Sequence, residues 1–170
     1  MANLASRIHA RSHLTGSFTL RSGATSTEYF DKYLFESDPK LLDEIAATLA
    51  PLVPSDIDAL AGLELGGIPI AVALSMRTGL PMRFVRKEAK PYGTCRLAEG
   101  GRIDAMRLLI VEDVVSTGGA ILDAVRELRA GGAKVTTALC VIDRETGGLE
   151  NLAGESVRLR ALYRMSELLG

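Results

Sequence analysis

The stretch Arg107-Leu-Leu-Ile-Val-Glu-Asp-Val-Val-Ser-Thr-Gly-Gly-Ala120 runs from apolar residues straight into two adjacent carboxylates, then into hydroxyls and glycines. A buried strand has no use for Glu112 and Asp113, and a helix interior has little use for Gly118 and Gly119. Each residue type does have a use beside a phosphorylated ligand. The two glycines let the backbone approach an anion closely, with amides at the start of a helix facing it. Ser116 and Thr117 add hydroxyl donors. Glu112 and Asp113 would repel a phosphate, so they should face sugar hydroxyls or a divalent cation. A phosphate with a diol nearby, the shape of ribose 5-phosphate, meets both demands. The competing reading is an ordinary strand-to-helix turn capped by Ser116 or Thr117. No lysine follows the glycines as in a P-loop, and the G-x-G-x-x-G spacing is absent.

Two further groups could meet anions. Arg86-Lys-Glu-Ala-Lys-Pro-Tyr-Gly93 brings Arg86, Lys87 and Lys90 together, either as an anion site or as a solvated basic loop. Residues 94–102 carry Gly100, Gly101 and few packing side chains, which suits a mobile lid. In Gly62-Leu-Glu-Leu-Gly-Gly-Ile-Pro69 the amides of Gly66 and Gly67 either hold a second anion or close a tight turn.

These segments need a scaffold, and the pattern supplies one. Asp38-Pro39 opens a helix, Leu41, Leu42, Ile45, Ala46 and Leu49 recur at helical spacing, and Pro51 stops them. Residues 59–63 read as a strand, 68–78 as a helix closed by Gly79, and 82–86 and 108–111 as strands. Residues 120–130 read as a helix ended by Gly131 and Gly132, and 135–142 as a strand. Strands alternating with helices, and apolar along their whole length, predict an α/β fold: a mainly parallel sheet flanked by helices. In such sheets ligands bind beyond the carboxyl ends of the strands, where all three glycine-bearing or basic segments fall. Residues 1–37 and 150–170 break the rhythm and are expected to form a small cap on a core of 38–149.

Composition narrows the rest. The chain has 170 residues, 47% hydrophobic and 24% charged, with a net charge of −1, which fits one globular domain and gives no bulk attraction to nucleic acid or membrane. No apolar run is long enough for a transmembrane helix, and the first residues lack the apolar core of a signal peptide. Cys95 and Cys140 form no disulfide framework, and with only His9 and His13 no zinc site is expected. A reducing, cytoplasmic setting is expected.

Val111-Glu-Asp-Val-Val-Ser-Thr-Gly-Gly119 resembles the signature of the type I phosphoribosyltransferases, which bind 5-phosphoribosyl 1-diphosphate (PRPP). The resemblance implies that Glu112 and Asp113 meet the ribose hydroxyls. It also implies that Val114, Val115, Ser116, Thr117, Gly118, Gly119 and Ala120 form the loop around the 5-phosphate. Arg86-Lys-Glu-Ala-Lys90 is similar to the orotate branch, which makes orotidine 5-phosphate in pyrimidine (UMP) synthesis. By that likeness Arg86, Lys87, Lys90 and Tyr92 bind the diphosphate with Gly66 and Gly67, and Mg2+ arrives with PRPP without a protein ligand of its own. Lys90 on the lid completes the site of a second subunit, so a homodimer is implied, and Lys90 and Asp113 are the implied catalytic residues. Tyr92 stands where that branch usually has histidine, and Gly66 where some members have lysine.

The N-terminal Thr15-Gly-Ser-Phe-Thr-Leu-Arg-Ser-Gly23, with Tyr29-Phe-Asp31, resembles the base-binding region of orotate enzymes. Arg21, Phe30, Ser116 and Arg144 are then the expected orotate contacts. Phe30 either stacks on a pyrimidine or seals the core, and Arg144 either pairs with a substrate carboxylate or with Asp143 or Glu145. A phosphoribosyltransferase for a purine or uracil, or a PRPP-sensing regulator, are the alternative readings. Arg144 separates the bases, because one without a carboxylate leaves the guanidinium unpaired.

Overall fold

The computed structural model describes residues 3–20, 22–89 and 97–169. The order is α1 (Leu4–Ser12), β1 (His13–Thr19), β2 (Thr25–Phe30), α2 (Lys32–Glu36), α3 (Pro39–Leu49), β3 (Ala59–Leu63), α4 (Gly67–Thr78), β4 (Met82–Val85), β5 (Ala98–Glu99), β6 (Arg107–Val115), α5 (Gly119–Ala130), β7 (Lys134–Asp143), α6 (Gly148–Gly154), β8 (Arg158–Arg164) and α7 (Met165–Leu169). The main sheet runs β5-β4-β3-β6-β7-β8, and only β5 is antiparallel to its neighbour. Strands β1 and β2 pair as a separate antiparallel hairpin.

Successive residues of a strand face opposite sides, and β6 is apolar on both. Leu108 and Ile110 pack with Ile121, Val125 and Leu128 of α5. Leu109 and Val111 pack with Leu41, Ile45 and Leu49 of α3 and with Ile70 and Leu74 of α4. Two buried layers therefore sandwich the sheet, which is why its central strands read as solid apolar runs. The helix ends obey local chemistry. Asp38 accepts hydrogen bonds from the amides of Lys40 (3.0 Å) and Leu41 (3.2 Å), with Pro39 in the first turn. Gly79 closes α4 at φ 73°, its amide donating to Ser75 O at 2.9 Å.

Two elements differ from expectation. Strand β6 does not stop at Val111. It continues through Glu112, Asp113 and Val114 to Val115, pairing Glu112 with Cys140 and Val115 with Asp143. The ladder with β7 and the β-branched Val114 and Val115 outweigh the break that two acids make in the apolar run. The tail beyond Leu149, read as cap, supplies the sheet's edge strand β8. Its alternation of buried Leu159 with arginines is the signature of a strand covered on one face. The last helix, α7, packs against α1.

Candidate active site

Beyond the carboxyl ends of β3, β4 and β6 lies an open cleft of about 620 Å³, lined by Glu64, Arg86, Lys87, Glu112 and the turn 115–120. A hollow of about 690 Å³ lined by Thr136, Thr137, Arg158 and Arg160 sits at the amino ends of β7 and β8, away from these groups.

The turn at the cleft is built to present amides. Gly118 takes φ 80°, so the chain reverses into α5, whose first-turn N–H groups have no intrahelical partner. Ser116, Thr117, Gly119 and Ala120 are exposed at the opening. Helix α6 supports the turn from behind. Asn151 Nδ2 donates to Thr117 O at 3.0 Å, and a Cβ on Gly148 would stand 2.5 Å from Ser116 O. The opposite wall carries Arg86 and Lys87. The Arg86 Nε has no hydrogen-bond partner among the described residues and lies 3.8 Å from Glu99 Oε1. The Lys87 amide donates to Glu64 Oε1 at 2.7 Å, tying the basic segment to the β3–α4 loop. Glu64 was not singled out by the sequence; nothing in its local pattern marks it.

The two acids part company. Glu112 lines the cleft at 7% exposure, and its Oε1 accepts from the Asp113 amide at 3.0 Å. Asp113 is fully buried and faces α2, with its Oδ2 2.7 Å from Lys32 Nζ. It lies directly behind the β3–α4 loop. A Cβ on Gly66 would fall 1.6 Å from Asp113 Oδ2 and 2.9 Å from Glu36 Oε1. Gly67 is as tightly seated, since its Cβ would stand 2.3 Å from Val111 O. Lys32 and Glu36 are spaced i,i+4 on α2, behind the Asp31 cap. That spacing, and a buried glutamate so near the start of the fold, are the only local hints of this group.

Were both ionised, Glu36 Oε1 would meet no hydrogen-bond donor among the described residues and Asp113 Oδ2 only Lys32. A proton retained by Glu36 lets it donate to Asp113. Burial, and then Asp113, push the Glu36 carboxyl up to about 9. Burial, and then the Asp113 charge, also raise Glu112. Burial opposes ionisation of Asp113, but hydrogen bonds from Glu36, Glu112 and Lys32 outweigh it and hold Asp113 below its usual range. Burial lowers and Asp113 more than restores the Lys32 ammonium.

The sign for stability follows. The folded chain keeps the Glu36 proton that the unfolded chain releases near the ordinary value of 4.5. This contribution is whole below that pH and is lost as pH rises toward 9. The slope is at most about 1.4 kcal/mol per pH unit, or roughly 3–5 °C. Glu36→Gln should therefore melt with a flatter pH dependence than the native chain between pH 5 and 9. Parallel melting curves would show that Glu36 is ionised.

The base-side residues are more scattered. Phe30 is half-buried and packs against Phe35, with ring centroids 6.4 Å apart, at the edge of the α3–α4 core. The exposed aromatic of the hairpin is Tyr29, stacked on Phe18 at 5.5 Å. The Arg144 amide donates to Val115 O at 2.8 Å, which sets this residue beside the turn with its side chain exposed. Neither alternative partner claims it: Asp143 Oδ1 accepts from the Glu145 amide, and Glu145 Oε2 from the Ser166 amide. Arg21, Lys90 and Tyr92 lie outside the described residues, as does Cys95. Cys140 is a buried free thiol in β7.

The mainly parallel sheet carries a turn of exposed amides after β6 and a basic segment after β4, and residues 35–159 match the phosphoribosyl transferase domain, so the chain belongs to that family. It is 52% identical over 167 residues to an orotate phosphoribosyltransferase of Nocardioides sp., covering 98% of this chain and 93% of the relative. One from Methanocella arvoryzae is 46% identical over 91% of this chain and 89% of its own. Among solved structures, Mycobacterium tuberculosis orotate phosphoribosyltransferase in complex with PRPP superposes with TM-score 0.84 at 28% identity, covering 98% of this chain and 97% of that one.

Proposed function

We propose that the chain transfers the phosphoribosyl group of PRPP to N1 of orotate, giving orotidine 5-phosphate and diphosphate. The observation that carries this reading is the convergence on one cleft of the 116–120 amide turn, Glu112 and the basic pair Arg86 and Lys87. The turn suits the 5-phosphate, Glu112 a ribose hydroxyl, and the cations a diphosphate. As the bond from carbon 1 of the ribose to diphosphate breaks, positive charge grows on the sugar and negative charge on the leaving group. Arg86 and Lys87, joined by Lys90, stabilise that leaving charge. The sugar is held at both ends while the N1 of orotate approaches, which needs orientation and no side-chain nucleophile.

Mg2+ prefers several oxygen ligands and keeps company with phosphates. Among the described residues no group of three or more His, Cys, Asp or Glu side chains is arranged to hold a metal ion, and Asp113 is already paired with Lys32. Mg2+ would be held by the diphosphate oxygens, where it neutralises leaving-group charge. The active unit in this reading is a cytoplasmic homodimer whose Lys90 lid completes the neighbouring site. Exposed Val72 and Met76 on α4 and Phe84 on β4 support a covered apolar face. Among the described residues no helix is long and apolar enough to cross a membrane.

Purified protein with PRPP and Mg2+ should consume orotate, and should act on adenine, hypoxanthine or uracil at least about a hundredfold less efficiently, the discrimination expected when a buried or paired polar site is left empty. A purine or uracil used better than orotate would move the assignment to another base. PRPP binding without transfer to any base would leave a sensor.

A further inference from the structure

The cleft residues account for one acid of the pair and leave the other unexplained. Asp113 is fully buried and turned toward α2, where Lys32 Nζ meets its Oδ2 at 2.7 Å. Its Oδ1 accepts from the Val114 amide, so the carboxylate is held from both ends. The groups facing it are Glu36 and Lys32 from α2 and Glu112 from its own strand; the Lys32 ammonium also lies 5.3 Å from the Tyr33 ring. Among the described residues, Lys32 is the cation paired with this cluster of three carboxyls. The Gly66 backbone stands against the same Asp113 Oδ2, close enough to leave no room for a side chain.

Lys32 thus touches a junction of three segments. Its helix begins directly after Phe30 and the Asp31 cap. Asp113 belongs to the strand whose next residues form the amide turn. Gly66 is the N-cap of α4 and part of the loop expected to meet diphosphate. Without the cation, Asp113 would face two carboxyls in a buried place. It would then take up a proton or swing away, and the loop that rests on it would lose its backing.

We propose that Lys32 is a positioning residue for PRPP: its ion pair fixes Asp113 behind Gly66 and so sets the β3–α4 loop and the end of β6 in the geometry that receives the sugar diphosphate. This deepens the reading of the cleft as a PRPP site and rests on it. Lys32 acts through Asp113 and the loop that rests on it, so its loss should act on PRPP and spare the base.

The test compares native protein with Lys32→Met and Lys32→Arg, measuring Mg-PRPP affinity by calorimetry, the KM for PRPP and for orotate, kcat, and the melting temperature. Lys32→Met should weaken PRPP roughly tenfold to a hundredfold, the loss from unpairing a close charge pair, while the orotate KM moves less than about threefold. Lys32→Arg, which keeps the charge, should recover most of the PRPP affinity. Should Lys32→Met give no cooperative melt, Lys32→Gln, polar but uncharged, takes its place with the same expectation. Native-like PRPP affinity in the uncharged variant, or equal losses for PRPP and orotate, would overturn the inference. Native protein that binds no PRPP at all would instead overturn the functional reading.

Discussion

Gly67→Ala should lower turnover roughly a hundredfold and the melting temperature by roughly 6–12 °C, a loss of about 3 kcal/mol at the upper end of what overpacking usually does. The reason is a backbone contact. A Cβ at this position would stand 2.3 Å from Val111 O and 3.3 Å from Glu112 Cα. No flexible side chain can give way there, so α4 must move off β6 or the strand must bend. Either shift breaks the register between the β3–α4 loop and the part of β6 that bears Glu112. A displacement of about 1 Å at such a site is enough to cost roughly a hundredfold in rate. Gly154→Ala is the matched control. Its Cβ would meet nothing within 4 Å, and its melting temperature and turnover should stay native. A fully active Gly67→Ala would show that the β3–α4 turn does not need its close seat on β6.

What could be read in advance divides by the range of the interaction that decides it. The ends of α3 and α4 were legible because Asp38, Pro39 and Gly79 act on amides and carbonyls a few residues away. The amide turn was legible for the same reason: Gly118, at φ 80°, reverses the chain locally into α5. The length of β6 was not, because pairing with β7 decides it, and no pattern within β6 reports its partner. Strand β8 was missed because its one-sided alternation looks unlike the solid apolar strands at the centre. Gly66 shows the limit most clearly. In sequence it reads as a missing cation; in the fold, the Asp113 carboxylate occupies the space a side chain would need. The partners that put Asp113 there, Lys32 and Glu36, lie far away in the chain on a short helix whose i,i+4 pair is unremarkable alone.

Arg144→Ala should lower kcat/KM for orotate roughly 30- to 1,000-fold, about 2–4 kcal/mol, while changing the KM for PRPP little. Position and exposure argue for it. The Arg144 amide donates to Val115 O, so the residue stands next to Ser116 at the head of the phosphate turn. Its guanidinium is exposed, and the two acids beside it accept from the amides of Glu145 and Ser166. A planar fork of donors held there matches a carboxylate in two parallel hydrogen bonds. Arg144→Lys keeps the charge and loses the fork, so its efficiency should fall between the native and alanine proteins. Uracil, which lacks the carboxylate, provides the internal contrast: whatever slow transfer the native enzyme gives with uracil should be nearly unchanged in Arg144→Ala. An equal fall for both bases would make Arg144 a general support of the turn, and an undiminished rate with orotate would remove it from base recognition.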